Sequence, residues 1–471
     1  MWRFVGSLIF ISGALVGCAP LPALVTDSPI SQTQTESDTA EIPEAPSNER
    51  ITASDTLTPA APLEAFIAIP PVSENAKITQ DSLNSIGAPV SSNLFTMPPE
   101  LNRPLQVGLL VGVSYANLTG NGSLMLSLNG DASEKHSAKG VLSVKRGKVF
   151  WQEENGPSYS ADSLIIDPFE NELINLEKKN YRGRLRVSIQ KGKLLIINSV
   201  SIEDYLKGVV PYEIGTLDSN AVEALKAQAV AARTYAYRHF GSRISQGFDV
   251  YADVKDQVYN GASGEVSLTN TAVDATVGEV LTFGGTFIEA YYHSTCGGYT
   301  ENLETWGRNG LPYLQSKPDL RPDGKAWCDE SSYSHWKWLY TGKEFPELLK
   351  KNAGDAKADK IPNFTKINEI TILDRLPGGR VKTLLVETNK GTMTVKGDRT
   401  RWLFKRGTKI LPSSNFEISK EGNNWVIKGS GFGHGVGMCQ MGVRARARAG
   451  QTYQEILSHY YPGTTLERLV P

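Results

Sequence analysis

The sequence predicts an α+β fold, and two observations support this prediction. Short β-rich runs separated by Gly and Asn turns fill residues 105–200, and one long Ala-rich helix follows them. Strands and helices are therefore segregated along the chain and do not alternate, which disfavours a doubly wound parallel sheet. We expect an antiparallel β-rich N-terminal part at 105–200 and a mixed sheet-and-helix core at 201–471.

The β-rich part is predicted from runs of strand-like composition. These runs are Val107–Val113, Leu124–Leu128, Gly140–Val144, Leu164–Ile166, Leu185–Ile189 and Leu194–Val200. Between the last two, Lys191-Gly192-Lys193 has the composition of a hairpin turn. The sequence thus predicts an antiparallel sheet before residue 201.

The long helix is the strongest helical pattern of the chain. Asn220 is the predicted cap, Glu223 lies three residues later as in a capping box, and Gly241 ends the run. Seven alanines between 221 and 236 predict close packing against a sheet or another helix.

The rest of the core is predicted as further strands, an irregular stretch at 318–363 and a last helix. The strands are Val280–Phe283, Phe287–Tyr291, Ile367–Leu373, Val381–Glu387 and Thr392–Val395, and the helix is Gln451–Tyr460.

The N-terminus has the features of an export signal. Arg3 supplies positive charge, and the apolar run Phe4–Val16 is too short to span a bilayer. Leu15-Val16-Gly17-Cys18 resembles the lipobox of bacterial lipoproteins. We predict a lipoprotein signal peptide at 1–18 with lipidation of Cys18; the alternative is an ordinary signal peptide with an incidental cysteine.

Composition separates a tether from a folded part. Residues 19–104 hold 13 of the 25 prolines and neither Trp nor Tyr, with 3 Lys and Arg against 11 Asp and Glu, which predicts a disordered spacer. Residues 105–471 are mildly basic, with 45 Lys and Arg against 39 Asp and Glu. The net charge of −1 over 471 residues argues against a protein that coats nucleic acid.

Glu213 is the first candidate for chemistry. It follows Val209-Val210-Pro211 and precedes Gly215, which predicts a sharp connection between a strand-like run and the long helix. A carboxyl among apolar neighbours has a raised pKa, as a general acid at neutral pH requires. The alternative is a glutamate that only caps or pairs near a helix start.

A second group contains His293, Cys296, Cys328 and His335. Their spacing fits no compact zinc module well. In an exported protein we predict a Cys296–Cys328 disulfide instead, with a metal site and unpaired thiols as the alternatives.

A third candidate is the glycine-rich run Gly429–Gly442. It offers His434 and Gln440 to a ligand that the glycine backbone could approach closely. It lacks the Lys-Ser/Thr ending of a nucleotide phosphate loop, and a structural turn is the alternative.

Several segments together resemble one family. Ser201–Gly215 with Glu223–Tyr235 resembles the signature of the stage II sporulation protein D and LytB (amidase enhancer) family. Further matching segments follow in order, namely Gln257–Gly261, Ala272–Gly278, His293–Asn302, Trp306-Gly307, Gly431–Gly442 and His459–Thr464. The resemblance covers about residues 105–471.

The resemblance implies a cell-wall enzyme. It implies a lytic transglycosylase that cleaves peptidoglycan glycan strands at the MurNAc-GlcNAc bond, leaves 1,6-anhydroMurNAc ends and prefers strands stripped of stem peptides. The catalytic glutamate falls on Glu213 and the catalytic core on 201–471, with no cofactor. The alternative is a non-catalytic peptidoglycan-binding amidase enhancer. The implied partners are glycan strands and an N-acetylmuramoyl-L-alanine amidase. Together with the export signal and lipobox, we predict an extracytoplasmic lipoprotein anchored to the membrane, in the periplasm or at the outer membrane if the cell has one, and from the charge no nucleic acid partner.

Other residues are candidates for supporting roles, each with a structural alternative. The predicted substrate-binding residues are Lys226, Arg233, Tyr259, His293, Trp306, His434 and Gln440, and Tyr292 is a further aromatic face. A hydrolase would need a second carboxylate, for which the candidates are Asp253, Asp256 and Glu265. Some family members carry a His/Cys zinc site just upstream of the Gln-Val-Tyr segment, but residues 249–256 here contain neither residue type, so no metal is predicted there.

Overall fold

The computed structural model describes residues 93–170, 172–215, 217 and 219–470. The predicted signal peptide, Cys18 and residues 19–92 of the predicted tether lie outside the described residues. Residues 93–104 belong to the fold, because strand β1 (Asn93–Thr96) pairs in parallel with β23 (Thr465–Val470). Arg103 also makes a bidentate contact with Asp249, at 2.7 and 2.8 Å. The predicted tether boundary at 104 was therefore wrong.

One sheet of eleven strands contains nearly all of the β-rich part. Its strands are β2 (Leu105–Val113), β3 (Tyr115–Leu128), β4 (Glu134–Lys145), β5 (Lys148–Glu153), β6 (Ser158–Ala161), β7 (Leu164–Pro168), β8 (Ile174–Leu176), β9 (Lys179–Tyr181), β10 (Arg184–Gln190), β11 (Lys193–Val200) and β12 (Val250–Tyr251). The order is β12-β2-β11-β10-β7-β3-β4-β5-β6, with β8 on β3 and β9 on β8. All pairs except β12 with β2 are antiparallel, which confirms the predicted fold class.

Seven helices follow in the described part of the chain. They are α1 (Ile202–Ile214), α2 (Val222–Arg238), α3 (Ser267–Ala275), α4 (Phe345–Asn352), α5 (Thr400–Leu403), α6 (Gln440–Arg448) and α7 (Tyr453–Tyr460). The predicted Ala-rich helix is α2, and its alanines are fully buried where it packs against α1, α3, α6 and α7. Its cap differs from the prediction, because Ala221 and not Asn220 occupies the N-cap position.

Helix α1 replaces the strand-like run predicted before Glu213. Its first turn is capped by Ser201, whose hydroxyl accepts a hydrogen bond from the backbone N–H of Asp204. Val209 and Val210 are β-branched and disfavour a helix intrinsically, but both are fully buried in the core shared with α2. Tertiary packing therefore overrides propensity here.

Four smaller sheets complete the fold. Their strands are β13 (Glu279–Phe283), β14 (Thr286–Phe287), β15 (Tyr292–His293), β16 (Trp336–Thr341), β17 (Ile367–Arg375), β18 (Val381–Thr388), β19 (Gly391–Lys396), β20 (Phe416–Glu421), β21 (Asn424–Gly429) and β22 (Met438–Cys439). The sheet orders are β1-β23-β13-β14, β15-β22, β16-β21-β20 and β17-β18-β19. The stretch predicted as irregular at 318–363 contains β16 and α4, so that prediction was wrong.

The core region 201–471 holds two large separate hydrophobic clusters. One surrounds α1 and α2 and extends into the eleven-stranded sheet. The other lies between Tyr340 and Ile427 and is built from α4, α5 and the sheets of β16 to β21. Across the described residues, no helix combines the length and apolar character needed to cross a bilayer.

Candidate functional site around Glu213

Helix α1 places Glu213 in its last turn, two residues before Gly215. The φ of Gly215 is +80°, a conformation that favours glycine, and it ends the helix directly after Ile214. Ile214 on one side is buried, whereas Tyr212 on the other is exposed. The half-buried Glu213 thus lies where the core meets the surface.

The Glu213 carboxyl is held by three hydrogen-bond donors. The backbone N–H of Val258 donates to Oε1 at 2.9 Å. The side chains of Tyr292 and Gln440 also hydrogen-bond to the carboxyl. Such donors orient the carboxyl and favour its charged form.

Desolvation nevertheless dominates the ionisation of Glu213. Burial raises the pKa of this carboxyl from 4.5 to about 7, and the hydrogen bonds from Val258, Gln440 and Tyr292 offset only part of that rise. A group with this pKa exchanges a proton readily near neutral pH. Glu213 therefore has the ionisation that a general acid and base requires.

The two side-chain donors come from a short parallel strand pair. β15 and β22 pair with Tyr292 opposite Met438 and His293 opposite Cys439, and Gln440 directly follows. Each donor is itself held in place. Gln257 donates to the Tyr292 hydroxyl at 2.9 Å, and Gln440 donates to the side-chain oxygen of Gln228 at 3.4 Å.

Three of the predicted substrate-binding residues form a ring cluster beside this strand pair. The His434 ring lies 5.5 Å from that of His293 and 4.9 Å from that of Trp306, measured between centroids. Burial lowers the pKa of His434 to about 4 and that of His293 well below 6.5, so both imidazoles are neutral at pH 7. The buried Nε2 of His293 has no hydrogen-bond partner within the described residues.

The other predicted substrate-binding residues, apart from Gln440, are engaged elsewhere. Arg233 is fully buried and forms a bidentate pair with Glu203 at 2.7 and 2.9 Å. Glu203 is the second residue of α1 and lies about 15 Å along the helix from Glu213 at 1.5 Å per residue. Arg233 therefore joins helices and has no surface to offer a sugar, which corrects the prediction.

Tyr259 and Lys226 likewise make internal contacts. Tyr259 is 2% exposed, and its hydroxyl donates to Asn198 at 2.9 Å, so it is a core residue and not a stacking face. Lys226 is half-buried and pairs with Glu223 at 2.7 Å.

The cysteines differ from the predicted pair. Cys296 and Cys328 are free thiols with their Sγ atoms 3.4 Å apart, and the buried Cys439 lies beside them. Sequence spacing had given no reason to group Cys439 with the other two.

Sequence reasoning also missed three groups that hold the Glu213 carboxyl or its hydrogen-bond donors in place. Gln228, Gln257 and the backbone amide of Val258 were not among the predicted site residues. The signal was that all three residues lie in segments on which the family resemblance rests, Gln228 in Glu223–Tyr235 and the other two in Gln257–Gly261.

Comparisons with known proteins identify the family of this chain. The model of the family described as stage II sporulation protein matches residues 190–283, which run from the last residue of β10 to the end of β13 and include both Glu213 and Val258. The stage II sporulation protein D of Bacillus subtilis (strain 168) is 32% identical over 285 residues, which cover 57% of this chain and 75% of the relative. The chain belongs to the stage II sporulation protein D family.

Further matches extend this result. The amidase enhancer of Bacillus subtilis (strain 168) is 34% identical over 295 residues, covering 55% of this chain and 40% of that longer protein. An uncharacterized protein of Brachyspira hyodysenteriae (strain ATCC 49526 / WA1) is 33% identical over 289 residues, covering 61% of this chain and 72% of the relative. A domain of unknown function (DUF8618) matches residues 323–437, the region that contains the second hydrophobic cluster. The family resemblance predicted from the sequence is confirmed.

Proposed function

We propose that this sporulation protein D family member is a lytic transglycosylase that cleaves peptidoglycan glycan strands, with Glu213 as its acid and base. Membership of the family indicates a role related to the cell wall. The observation that carries the proposal is the Glu213 carboxyl, whose pKa of about 7 arises from burial beside the surface.

The proposed reaction needs one carboxyl. Protonated Glu213 donates its proton to the glycosidic oxygen between MurNAc and GlcNAc as the C1–O bond breaks. The resulting carboxylate then accepts the proton of the MurNAc C6 hydroxyl, whose oxygen bonds to C1 and forms the 1,6-anhydro ring. Glu213 ends protonated, ready for another cycle.

The surroundings of two alternative carboxylates support the single-carboxyl reaction. A hydrolase would use a second carboxylate near the first. Asp256 is buried against Arg243 at 2.6 Å, and Glu265 is bound by Arg182 at 2.6 Å. Both are engaged in short ion pairs, whereas Asp253 is 54% exposed and, within the described residues, pairs only with the exposed Lys255, at 3.7 Å, which leaves it as the exposed candidate of the three.

The remaining parts of the proposal concern where the protein acts and with what. We propose export with a lipid anchor on Cys18, which puts the protein in reach of the wall, and strands stripped of stem peptides as the substrate. Because one relative is named an amidase enhancer, an N-acetylmuramoyl-L-alanine amidase is the proposed partner. The competing function is that of a peptidoglycan binder that enhances such an amidase without cutting glycan.

Mass spectrometry of digested glycan tests the proposal. Full-length protein, Glu213→Gln and the control Glu347→Gln are each incubated with glycan strands stripped of stem peptides. Glu347→Gln makes the same chemical change in α4, at a side chain that is 70% exposed. We expect anhydro-ended fragments from the wild type and the control, and none from Glu213→Gln.

Two other outcomes would contradict the proposal. Hydrated reducing ends would make the protein a hydrolase and direct attention to Asp253. Absence of cleavage by all three proteins, together with intact glycan binding and stimulation of an added amidase, would support the amidase enhancer.

A further inference from the structure

Three cysteine sulfurs meet in the interior of the protein. Cys296 follows β15, Cys439 ends β22, and Cys328 comes from the loop before β16. Their Sγ atoms all lie within 4.8 Å of one another, and the three residues are at most 1% exposed. Sulfurs that share one tetrahedral zinc ion at about 2.3 Å each lie about 3.8 Å apart, so the observed spacing suits a single ion.

Backbone amides point at these sulfurs. The N–H groups of Cys296 and Gly442 donate to Cys439 Sγ at 3.2 and 3.4 Å, and that of Gly298 donates to Cys296 Sγ at 3.3 Å. Amides of Gly297 and Gly298 also bond to the Cys328 sulfur. Both glycines have positive φ, +76° and +98°, which turns successive amides towards the cluster. Hydrogen bonds of this kind stabilise metal-bound thiolates.

Charged groups around the cluster complement bound thiolates. Arg380 is fully buried, and its guanidinium donates to the carbonyls of Cys296 and Tyr299 at 3.3 and 3.4 Å, while its Nε has no partner within the described residues. Burying such a cation is costly unless an anion lies close by. Glu301 and Asp398 are two negative neighbours of this guanidinium, and one divalent ion with three thiolates, of net charge −1, would be a third.

A carboxylate lies beside the cluster. Asp319 Oδ2 lies 3.3 Å from Cys296 Sγ, and Tyr460 donates to it at 2.8 Å. Arg446 holds the other oxygen at 2.8 Å and fixes the orientation of the carboxylate. Hydrogen-bonded polar groups next to the ligands in this way are typical of metal sites.

We propose that Cys296, Cys328 and Cys439 form a zinc site and supply three of its four tetrahedral ligands. Each thiol loses its proton to solvent and donates a sulfur electron pair to Zn²⁺, so binding releases three protons and requires no oxidant. An iron–sulfur cluster would need the sulfurs to lie around several metal atoms, and their spacing leaves room for one ion. The proposal replaces the Cys296–Cys328 disulfide predicted from the sequence.

The site would join the two strands that carry the donors to Glu213. Cys439 directly precedes Gln440, and it pairs with His293 across β15 and β22. Cys328 would attach this strand pair to the loop that leads into the second hydrophobic cluster. The proposal does not depend on glycan cleavage, because its test measures metal and thiols directly.

Metal content of the full-length protein, purified without chelator or reductant, tests the proposal. We expect about one zinc per chain, and at most a tenth of that in Cys328→Ser and Cys439→Ser. Ile244→Ser is the control, because it also introduces a serine, at a residue that is 75% exposed, and should keep the zinc. A zinc content near zero in the wild type would overturn the proposal.

A measurement on the wild type avoids reliance on variants that fail to fold. Replacement of the bound ion by Co²⁺ is expected to give thiolate-to-cobalt charge-transfer absorption and the intense visible bands of tetrahedral cobalt. Alkylation under denaturing conditions after removal of the metal is expected to label Cys296, Cys328 and Cys439. Peptide mapping that finds a Cys296–Cys328 disulfide would overturn the zinc site and restore the disulfide.

Discussion

The raised pKa of Glu213 makes the stability of the folded protein depend on pH. Between pH 4.5 and about 7 the unfolded chain has lost the Glu213 proton while the folded protein retains it, so the free energy of unfolding falls as pH rises through this window. Glu213→Gln removes that loss of stability. We expect the variant to match the wild type at pH 4.5 and to exceed it by up to about 3 kcal/mol at pH 8, measured by urea unfolding. A difference in unfolding free energy between the variant and the wild type that is the same at pH 4.5 and at pH 8 would contradict the raised pKa.

The hydroxyl of Tyr292 acts on the pKa of the same carboxyl in the direction opposite to burial. Its hydrogen bond lowers the pKa of Glu213, so Tyr292→Phe should raise it further. If Glu213 is the acid, cleavage declines as pH rises through its pKa, and the variant should move that decline to higher pH in a rate profile. Tyr115→Phe, at a tyrosine that is 62% exposed, is the control and should leave the profile unchanged. A shift to lower pH would contradict the assigned role of the hydroxyl.

At the scale of elements, the Arg233–Glu203 pair joins α2 to the start of α1. Arg233→Met leaves Glu203 without its bidentate partner and should lower the free energy of unfolding by about 3 kcal/mol. Adding Glu203→Gln should recover part of that loss, because the unpaired carboxylate is gone. Both are measured by urea unfolding. Wild-type stability with weakened glycan binding would restore the substrate contact predicted from the sequence.

Gly437 lets β22 approach β15. Its φ is +72°, and an added Cβ would lie 2.1 Å from the Tyr291 carbonyl oxygen. Gly437→Ala should therefore displace the strand pair and reduce cleavage at least tenfold. Gly450→Ala is the control for backbone strain without a steric clash. Gly450 has a similar φ of +86°, but the space around its Cβ position is open. That control should cost about 1 kcal/mol of stability and keep its activity. Equal loss of activity in both would contradict the collision.

The sequence predicted elements well where one local signal was strong. The alternating runs at 185–200 and the alanines of α2 were read correctly, because hydrophobic periodicity and residue size act within one element. α1 was missed because Val209, Val210 and Pro211 favour extended structure locally and become helical only through burial. Strand β1 was also missed, because it forms by pairing with β23, which lies at the other end of the chain.

At the scale of the whole molecule, the site could be predicted only in part. The family motif identified Glu213 without any geometry. Tyr292, Gln440 and Val258 reach its carboxyl from segments 45 to 227 residues away, and no local pattern encodes such a meeting. The three cysteines show the same limit, because spacing along the chain cannot reveal that Cys439 lies beside Cys296.

The two large hydrophobic clusters predict two units of local stability. Phe345 is fully buried in the second cluster, with ring centroids 4.8 Å from Tyr340, 5.5 Å from Trp425 and 5.9 Å from Phe404. Phe345→Ala should cost about 3 to 5 kcal/mol there. Because the clusters are separate, we expect hydrogen exchange to accelerate in α4, β16, β20 and β21 while α1 and α2 keep their protection. Leu225→Ala, in the first cluster, should give the converse pattern. Equal acceleration throughout the chain in both variants would mean that the two clusters unfold as one cooperative unit.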